Sequence, residues 1–108
     1  MSRVYSAKYI EELKSLKEEA PTPALLLADA CVRAKVPAVY IAEGLDVPKT
    51  KVYGWFRGSD TPAETLAAIE ALTEFLEREL TAGVLPANNK TARGLIQQWK
   101  GYREGNRL

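Results

Sequence analysis

The sequence contains no histidine and only one cysteine, Cys31. The absence of histidine removes most zinc sites, the histidine-dependent catalytic triads and the most common general base. Since the chain also has no glycine-rich phosphate loop and no paired acids suited to a cleft, we expect no enzyme, no metal and no other cofactor. A lone cysteine in an apolar helical stretch is usually a small buried side chain, so we predict that Cys31 lies in the core.

Long apolar runs are also missing. No segment approaches the roughly 18–20 apolar residues of a membrane span, and Arg3 is not followed by the apolar core of a secretory signal. We therefore expect a protein that stays in a reducing cytoplasm and does not engage a membrane. The 108 residues, 46% hydrophobic and 27% charged, suffice for one globular domain with a short appended element.

The net charge is only +1, but the charges are distributed unevenly. Residues 59–82 carry six acids against one base, whereas residues 83–108 carry five bases against one acid. This polarity would let one face meet an anionic partner while another stays acidic. Ordinary solvated helix surfaces would give the same pattern, so charge alone leaves both interpretations open.

Apolar periodicity predicts an all-α protein, a compact bundle of about five to six helices. An extra N-terminal amphipathic helix is expected over residues 6–19, where Tyr9, Leu13 and Leu16 share one face. Because proline favours the first position of a helix, four prolines predict further helix openings. They are Pro23, Pro37, Pro48 and Pro62.

The last of these helices is expected to begin with a capping box of Thr61 and Glu64 and to run to about Leu80. A C-terminal helix over about 90–102 is predicted from apolar side chains at helical spacing. They are Leu95, Ile96, Trp99 and Tyr102. The breaks divide the chain into an N-terminal amphipathic helix (1–20), a central domain (21–82) and a basic, partly helical C-terminal extension (83–108).

The most informative segment is residues 37–58, PAVYIAEGLDVPKTKVYGWFRG. It predicts two short helices joined by a tight turn. Ala42 is small where the second helix would cross the first, and Asp46 falls where a left-handed backbone is needed. Val52 and Trp55 lie three residues apart, on the expected inner face of the second helix.

This arrangement resembles the helix-turn-helix of the Xre-type (Cro/lambda-repressor-like) DNA-binding family, over roughly residues 23–80. The matching structural positions are Ile41, Ala42, Leu45, Val47, Val52, Trp55 and Gly58. The chain departs from the family pattern at Asp46, where glycine is usual, and at Ala38, where many members have a polar residue that grips a phosphate or base. The second departure puts one DNA contact in doubt.

The resemblance implies that the helix 48–57 enters the major groove of double-stranded DNA. The residues that would face base edges are Lys49, Thr50, Tyr53 and Gly54. Those that would contact phosphates, and so fix register without reading sequence, are Lys51, Arg57 and Ser59. The basic residues have an alternative as solubility charges. Phe56 is expected either to pack on the following loop or to form an exposed contact.

The resemblance further implies a repressor-like transcriptional regulator, of the kind that phages encode, that acts as a homodimer on paired half-sites. The dimer surface would be the N-terminal helix or the C-terminal stripe formed by Leu95, Ile96, Trp99 and Tyr102. Each could instead fold back onto its own domain. Arg103 and Arg107 would run along the DNA backbone or belong to a flexible end.

Two other functions remain open at this point. The first is an adaptor that binds a protein partner, such as RNA polymerase, through Tyr53, Phe56 and the aromatic C-terminus. The second is the DNA-recognition subunit of a phage packaging machine. An adaptor should show little salt-dependent affinity for DNA, and a packaging subunit should form a large ring.

Overall fold

The computed structural model describes residues 4–105. The six helices are α1 (Ala7–Glu19), α2 (Pro23–Ala34), α3 (Ala38–Leu45), α4 (Lys49–Trp55), α5 (Ala63–Thr81) and α6 (Asn89–Gly105). Because this range contains no strand, the predicted all-α class with about five to six helices is confirmed. None of these helices is both long enough and apolar enough to cross a membrane.

The helices α1 and α2 begin at side-chain caps that the sequence supplies. The Ser6 hydroxyl accepts the backbone N–H of Tyr9 at 3.0 Å, and the Thr22 hydroxyl accepts that of Leu25 at 3.2 Å. Each hydroxyl therefore satisfies one of the donors that a first helical turn leaves free. Pro23 stands at the start of α2, as predicted.

The other three prolines stand one residue earlier than predicted. Pro37, Pro48 and Pro62 are the extended residues just before α3, α4 and α5. The capping box expected from Thr61 and Glu64 is therefore wrong, and no side-chain hydrogen bond caps α5 in the described chain. With Pro62 at the cap position, Thr61 lies one residue too far from the first-turn N–H groups.

The core is built around α2, which packs against both α1 and α5. Its buried residues are mostly small or aliphatic: Ala24, Leu25, Leu27, Ala28, Ala30, Cys31 and Ala34. From α5 come Ala68, Ile69, Leu72 and Leu76. Cys31 is fully buried, which confirms its prediction, and burial raises the pKa of its thiol.

A chain of ion pairs joins α1, α2 and α5 at the surface. Lys17 Nζ lies 2.7 Å from one carboxylate oxygen of Asp29, and the other oxygen accepts Arg33 Nε–H at 3.0 Å. Arg33 also pairs with Glu77 of α5. Burial would raise the pKa of Asp29, but the hydrogen bonds from Lys17 and Arg33 outweigh it, so this pKa lies below its ordinary value.

The helix ends include one left-handed residue that the sequence did not reveal. Lys35 ends α2 with φ 57°, and the next N–H, that of Val36, donates to the Cys31 carbonyl at 3.0 Å. Gly83, with φ 79°, follows the end of α5. A lysine in the left-handed region is strained, because its Cβ approaches the following carbonyl.

Candidate nucleic-acid interface

The helices α3 and α4 are joined by the tight turn that the sequence predicts. Asp46 has φ 59° and ψ 46°, so it adopts the left-handed conformation expected of it. The N–H groups of Asp46 and Val47 both donate to the Ala42 carbonyl, Val47 at 3.0 Å. These bonds close the end of α3. Ala42 is buried, as its small size at this position indicates.

The two side chains predicted for the inner face of α4 pack into the core. Val52 and Trp55 are both buried, in one cluster with Ile41 and Leu45 of α3. Phe56, for which the sequence left two alternatives, is only 3% exposed. It therefore belongs to the core and is not available as a surface contact.

The outer face of α4 consists of exposed side chains: Lys49, Thr50, Lys51 and Tyr53. Arg57 and Ser59, just beyond the helix, are exposed as well. Among the described residues, none of the three bases of this segment takes part in an ion pair. Their positive charge is therefore available to an anionic partner.

Gly54 lies beneath the loop that follows α4. Its carbonyl accepts the N–H groups of Arg57 at 3.0 Å and Ser59 at 2.9 Å. A Cβ at position 54 would lie 3.3 Å from Ser59 Oγ, which is a tight contact. Gly58, with φ 102°, provides the reversal of the loop. Glycine at position 54 thus lets Ser59 fold back beside α4.

A groove of about 480 Å³ opens between the start of α3, the end of α4 and the N-terminal segment. The rings of Tyr5, Tyr9 and Tyr53 line it, together with Val39, and Arg57 is the charged residue of its lining. Tyr53 is 44% exposed and Val39 is 36% exposed. The groove is therefore largely apolar, with a single cationic group at its edge.

The start of α3 forms one wall of this groove. Pro37 precedes the helix and provides no side-chain cap, so the first-turn N–H groups of Ala38 and Val39 lack a helical acceptor. Such a turn attracts anions, because its free N–H groups and the helix dipole both favour negative charge. Ala38 has no polar side chain, but its free backbone N–H can donate to an anion.

Tyr5 and Tyr9 anchor the N-terminal segment to this region, a role that the sequence did not reveal. The Tyr5 hydroxyl donates to the Val36 carbonyl at 2.6 Å, and the Tyr9 hydroxyl donates to the Phe56 carbonyl at 2.7 Å. The two rings stack with centroids 5.7 Å apart. Burial raises the pKa of both hydroxyls, so both remain donors at neutral pH.

The C-terminal helix α6 packs directly on α3. Gly44 is buried there, and a Cβ at that position would lie 2.6 Å from Ile96 Cγ2. Such a distance is too short for real atoms, so glycine is what permits this approach. The Trp99 ring lies 3.9 Å from the same point. No pattern within α6 indicates which element it covers. A glycine inside the short helix α3 does, however, indicate that another element packs closely there.

The stripe predicted as a candidate dimer surface is mostly used within the chain. Ile96 and Trp99 are buried, and Leu95 is half-buried. Tyr102 is 75% exposed. Of the two alternatives that the sequence left open, the structure therefore shows the second: the stripe folds back onto its own domain and does not present these four side chains as one surface.

Of the two basic tail residues, the structure describes Arg103. The Arg103 guanidinium lies 5.7 Å from the centroid of the Trp99 ring, within the range of a cation–π interaction. Arg107 lies outside the described residues.

No protein-family model, curated protein or solved structure matches the chain. Within residues 4–105, no group of three acidic or cysteine side chains is placed to hold a metal ion. The candidate interface therefore depends on the geometry and charge of α3, the turn and α4.

Proposed function

We propose that the protein binds double-stranded DNA sequence-specifically and regulates transcription as a repressor. The observation that carries this proposal is the outer face of α4, where Lys49, Thr50, Lys51 and Tyr53 are exposed beside a tight turn. The bases of this face have no ion-pair partner among the described residues. An α-helix fits the major groove, so such a face can reach base edges.

Base reading is assigned to the first half of α4. The Lys49 ammonium can donate to guanine O6 or N7, and the Thr50 methyl can contact the methyl group of thymine. Tyr53 lies one turn further along and can pack along the groove wall. Gly54 has no side chain and lies beneath Ser59, so we assign it no base contact of its own.

Phosphate contacts would surround this reading face. Lys51, Arg57 and Ser59 are exposed at its edges. The free N–H groups at the start of α3 can donate to a phosphate oxygen in the same groove that Arg57 lines. These contacts would set the orientation of α4 without reading sequence. Since one such domain reads only a few base pairs, we propose binding as a homodimer to half-sites one helical turn apart.

Selection from a library of randomised duplexes tests sequence specificity. We expect one enriched, roughly palindromic site. Lys49→Ala should then relax the preference at one base pair and weaken binding to it by about 1–3 kcal/mol, whereas Lys51→Ala should weaken binding about equally to all sequences. If the protein binds DNA but the selected duplexes show no enriched sequence, sequence-specific recognition is contradicted.

An adaptor that binds a protein partner is the second candidate, and the apolar groove is the observation that favours it. Exposed Val39 and Tyr53 border the groove, so a partner could cover apolar surface there. This function predicts DNA binding that is absent or insensitive to Lys49→Ala. It also predicts that Tyr53→Ala abolishes capture of purified RNA polymerase.

A further inference from the structure

We propose that α6 raises DNA affinity by neutralising the two acids of the helix pair α3–α4, without contacting DNA itself. Arg93 would act through Glu43, and Lys100 would act through Asp46. This inference rests on the proposed DNA-binding function. It assigns a positioning and charge-compensating role to a helix outside the predicted recognition segment.

The acids concerned lie next to the start of the reading face. Glu43 and Asp46 are the only acidic residues in residues 37–58. Both border a surface depression whose lining includes Lys49. An unpaired carboxylate in this place would repel phosphates, since the screening length is about 10 Å at 0.1 M salt. The acids therefore oppose the function proposed for the neighbouring lysine.

The bases of α6 meet these acids individually. Arg93 Nε lies 3.1 Å from Glu43 Oε1, and Lys100 Nζ lies 3.9 Å from Asp46 Oδ1. The Arg93 pair is a hydrogen bond, and the longer Lys100 contact is a weaker charge pair. We therefore expect Arg93 to have the larger effect.

The packing between α6 and α3 fixes this pairing. Ile96 lies between Arg93 and Lys100 along α6, and it contacts α3 at Gly44. Since residues three and four apart share one side of a helix, these three residues of α6 present a continuous face. The tight contact at Gly44 sets the register of that face, which places one base near each acid.

The test is a double-mutant cycle measured by fluorescence anisotropy of the full chain on a generic labelled duplex. At about 50 mM salt, Arg93→Gln should weaken binding roughly threefold, and Glu43→Gln should strengthen it by a similar factor. The double variant, in which both charges are gone, should regain the affinity and the salt slope of the unsubstituted protein. Lys90→Gln is the matched control, because it removes an α6 charge that pairs with no acid among the described residues.

Four results would overturn the inference. An unchanged affinity in Arg93→Gln would show that the pair has no effect on binding. A double variant as weak as Arg93→Gln, with a salt slope smaller by about 0.9, would indicate a direct phosphate contact. An equal loss in Lys90→Gln would show that only net charge matters. Absence of DNA binding by the unsubstituted, folded protein would remove the proposed function and this inference with it.

Unfolding of Arg93→Gln would not decide the outcome by itself. The Glu43→Gln arm does not depend on that variant, and circular dichroism of each variant establishes its helix content. Stronger binding by folded Glu43→Gln supports the inference, and unchanged binding contradicts it.

Discussion

The hydroxyl of Tyr9 donates a 2.7 Å hydrogen bond to the carbonyl oxygen of Phe56, a residue 47 positions further along the chain. Phe56 is the capping residue that directly follows α4. The bond therefore satisfies a terminal helix carbonyl and ties α1 to the end of the proposed reading helix. The N-terminal helix is thus part of the support for α4, although it lies outside the pair of helices proposed to bind DNA.

Tyr9→Phe should lower the free energy of unfolding by about 1 kcal/mol, because it removes a hydrogen bond to a partly buried carbonyl. Tyr102→Phe is the matched control, since that side chain is 75% exposed and should lose almost nothing. Urea unfolding followed by circular dichroism measures both. Equal stability of the two variants would argue that the Tyr9 bond contributes nothing.

Acid should weaken the ion-pair chain that joins α1, α2 and α5. The pKa of Asp29 lies below its ordinary value of 3.8, so this carboxylate stabilises the fold above that pH. Its contribution is lost as the pH falls through the lower pKa of the folded state. Asp29→Asn should therefore be less stable by about 0.5–1 kcal/mol at pH 6, and the difference should shrink below about pH 4.

Asp60→Asn is the control for that titration, because Asp60 is exposed and has no resolved ion pair in the described chain. Unfolding is measured at several pH values for each variant. A difference between the unsubstituted protein and Asp29→Asn that persists unchanged to about pH 2 would contradict a role for the charge.

Gly44→Ala should lower the free energy of unfolding by about 1–3 kcal/mol, because the added methyl would overlap Ile96. Gly94→Ala offers a comparison within α6, where an added Cβ meets nothing within 4 Å. That variant should gain up to about 1 kcal/mol from helix propensity. Thermal unfolding followed by tryptophan fluorescence reports stability, with a signal from both Trp55 and Trp99. A Gly44→Ala variant at least as stable as the unsubstituted protein would contradict the close approach of α6 to α3.

Substitution by glycine should stabilise the fold at both left-handed residues, and more at Lys35 than at Asp46. Lys35→Gly and Asp46→Gly each relieve a side chain at positive φ. Because aspartate tolerates this conformation better than lysine, Lys35→Gly should stabilise by about 1 kcal/mol and Asp46→Gly by less. Urea midpoints with unchanged slopes measure the difference. A destabilised Lys35→Gly would mean that its left-handed conformation carries no strain.

Local chemistry explains why most helices and the turn could be predicted. Apolar spacing marks α1 and α5, and the position of Asp46 together with Val52 and Trp55 defines the turn and the inner face of α4. These features depend on contacts within one or two helical turns, which leave a periodic signal in the sequence.

Long-range packing explains what could not be predicted. The apolar stripe of α6 has the same spacing whether it meets another copy or its own domain, so only the contact of Ile96 with Gly44 decides between them. The hydrogen bond from Tyr9 to Phe56 leaves no periodic trace at all. The Thr61 capping box failed because Pro62 occupies the cap position and shifts the start of α5 by one residue.

The most direct test of the central claim is the salt dependence of DNA binding by the unsubstituted protein and two triple variants. Lys49→Gln/Lys51→Gln/Arg57→Gln removes the charges of the reading face, and Lys14→Gln/Arg78→Gln/Lys90→Gln removes three exposed charges elsewhere. Counterion release predicts that log affinity falls linearly with log salt, by roughly 0.9 per phosphate neutralised.

We predict that log affinity falls with log salt with a slope of several units for the unsubstituted protein. The size of this slope should decrease by two or more in the variant of the reading face and change little in the variant with charges removed elsewhere. Folded protein that fails to bind at about 50 mM salt, or two variants weakened equally, would contradict DNA recognition by α4.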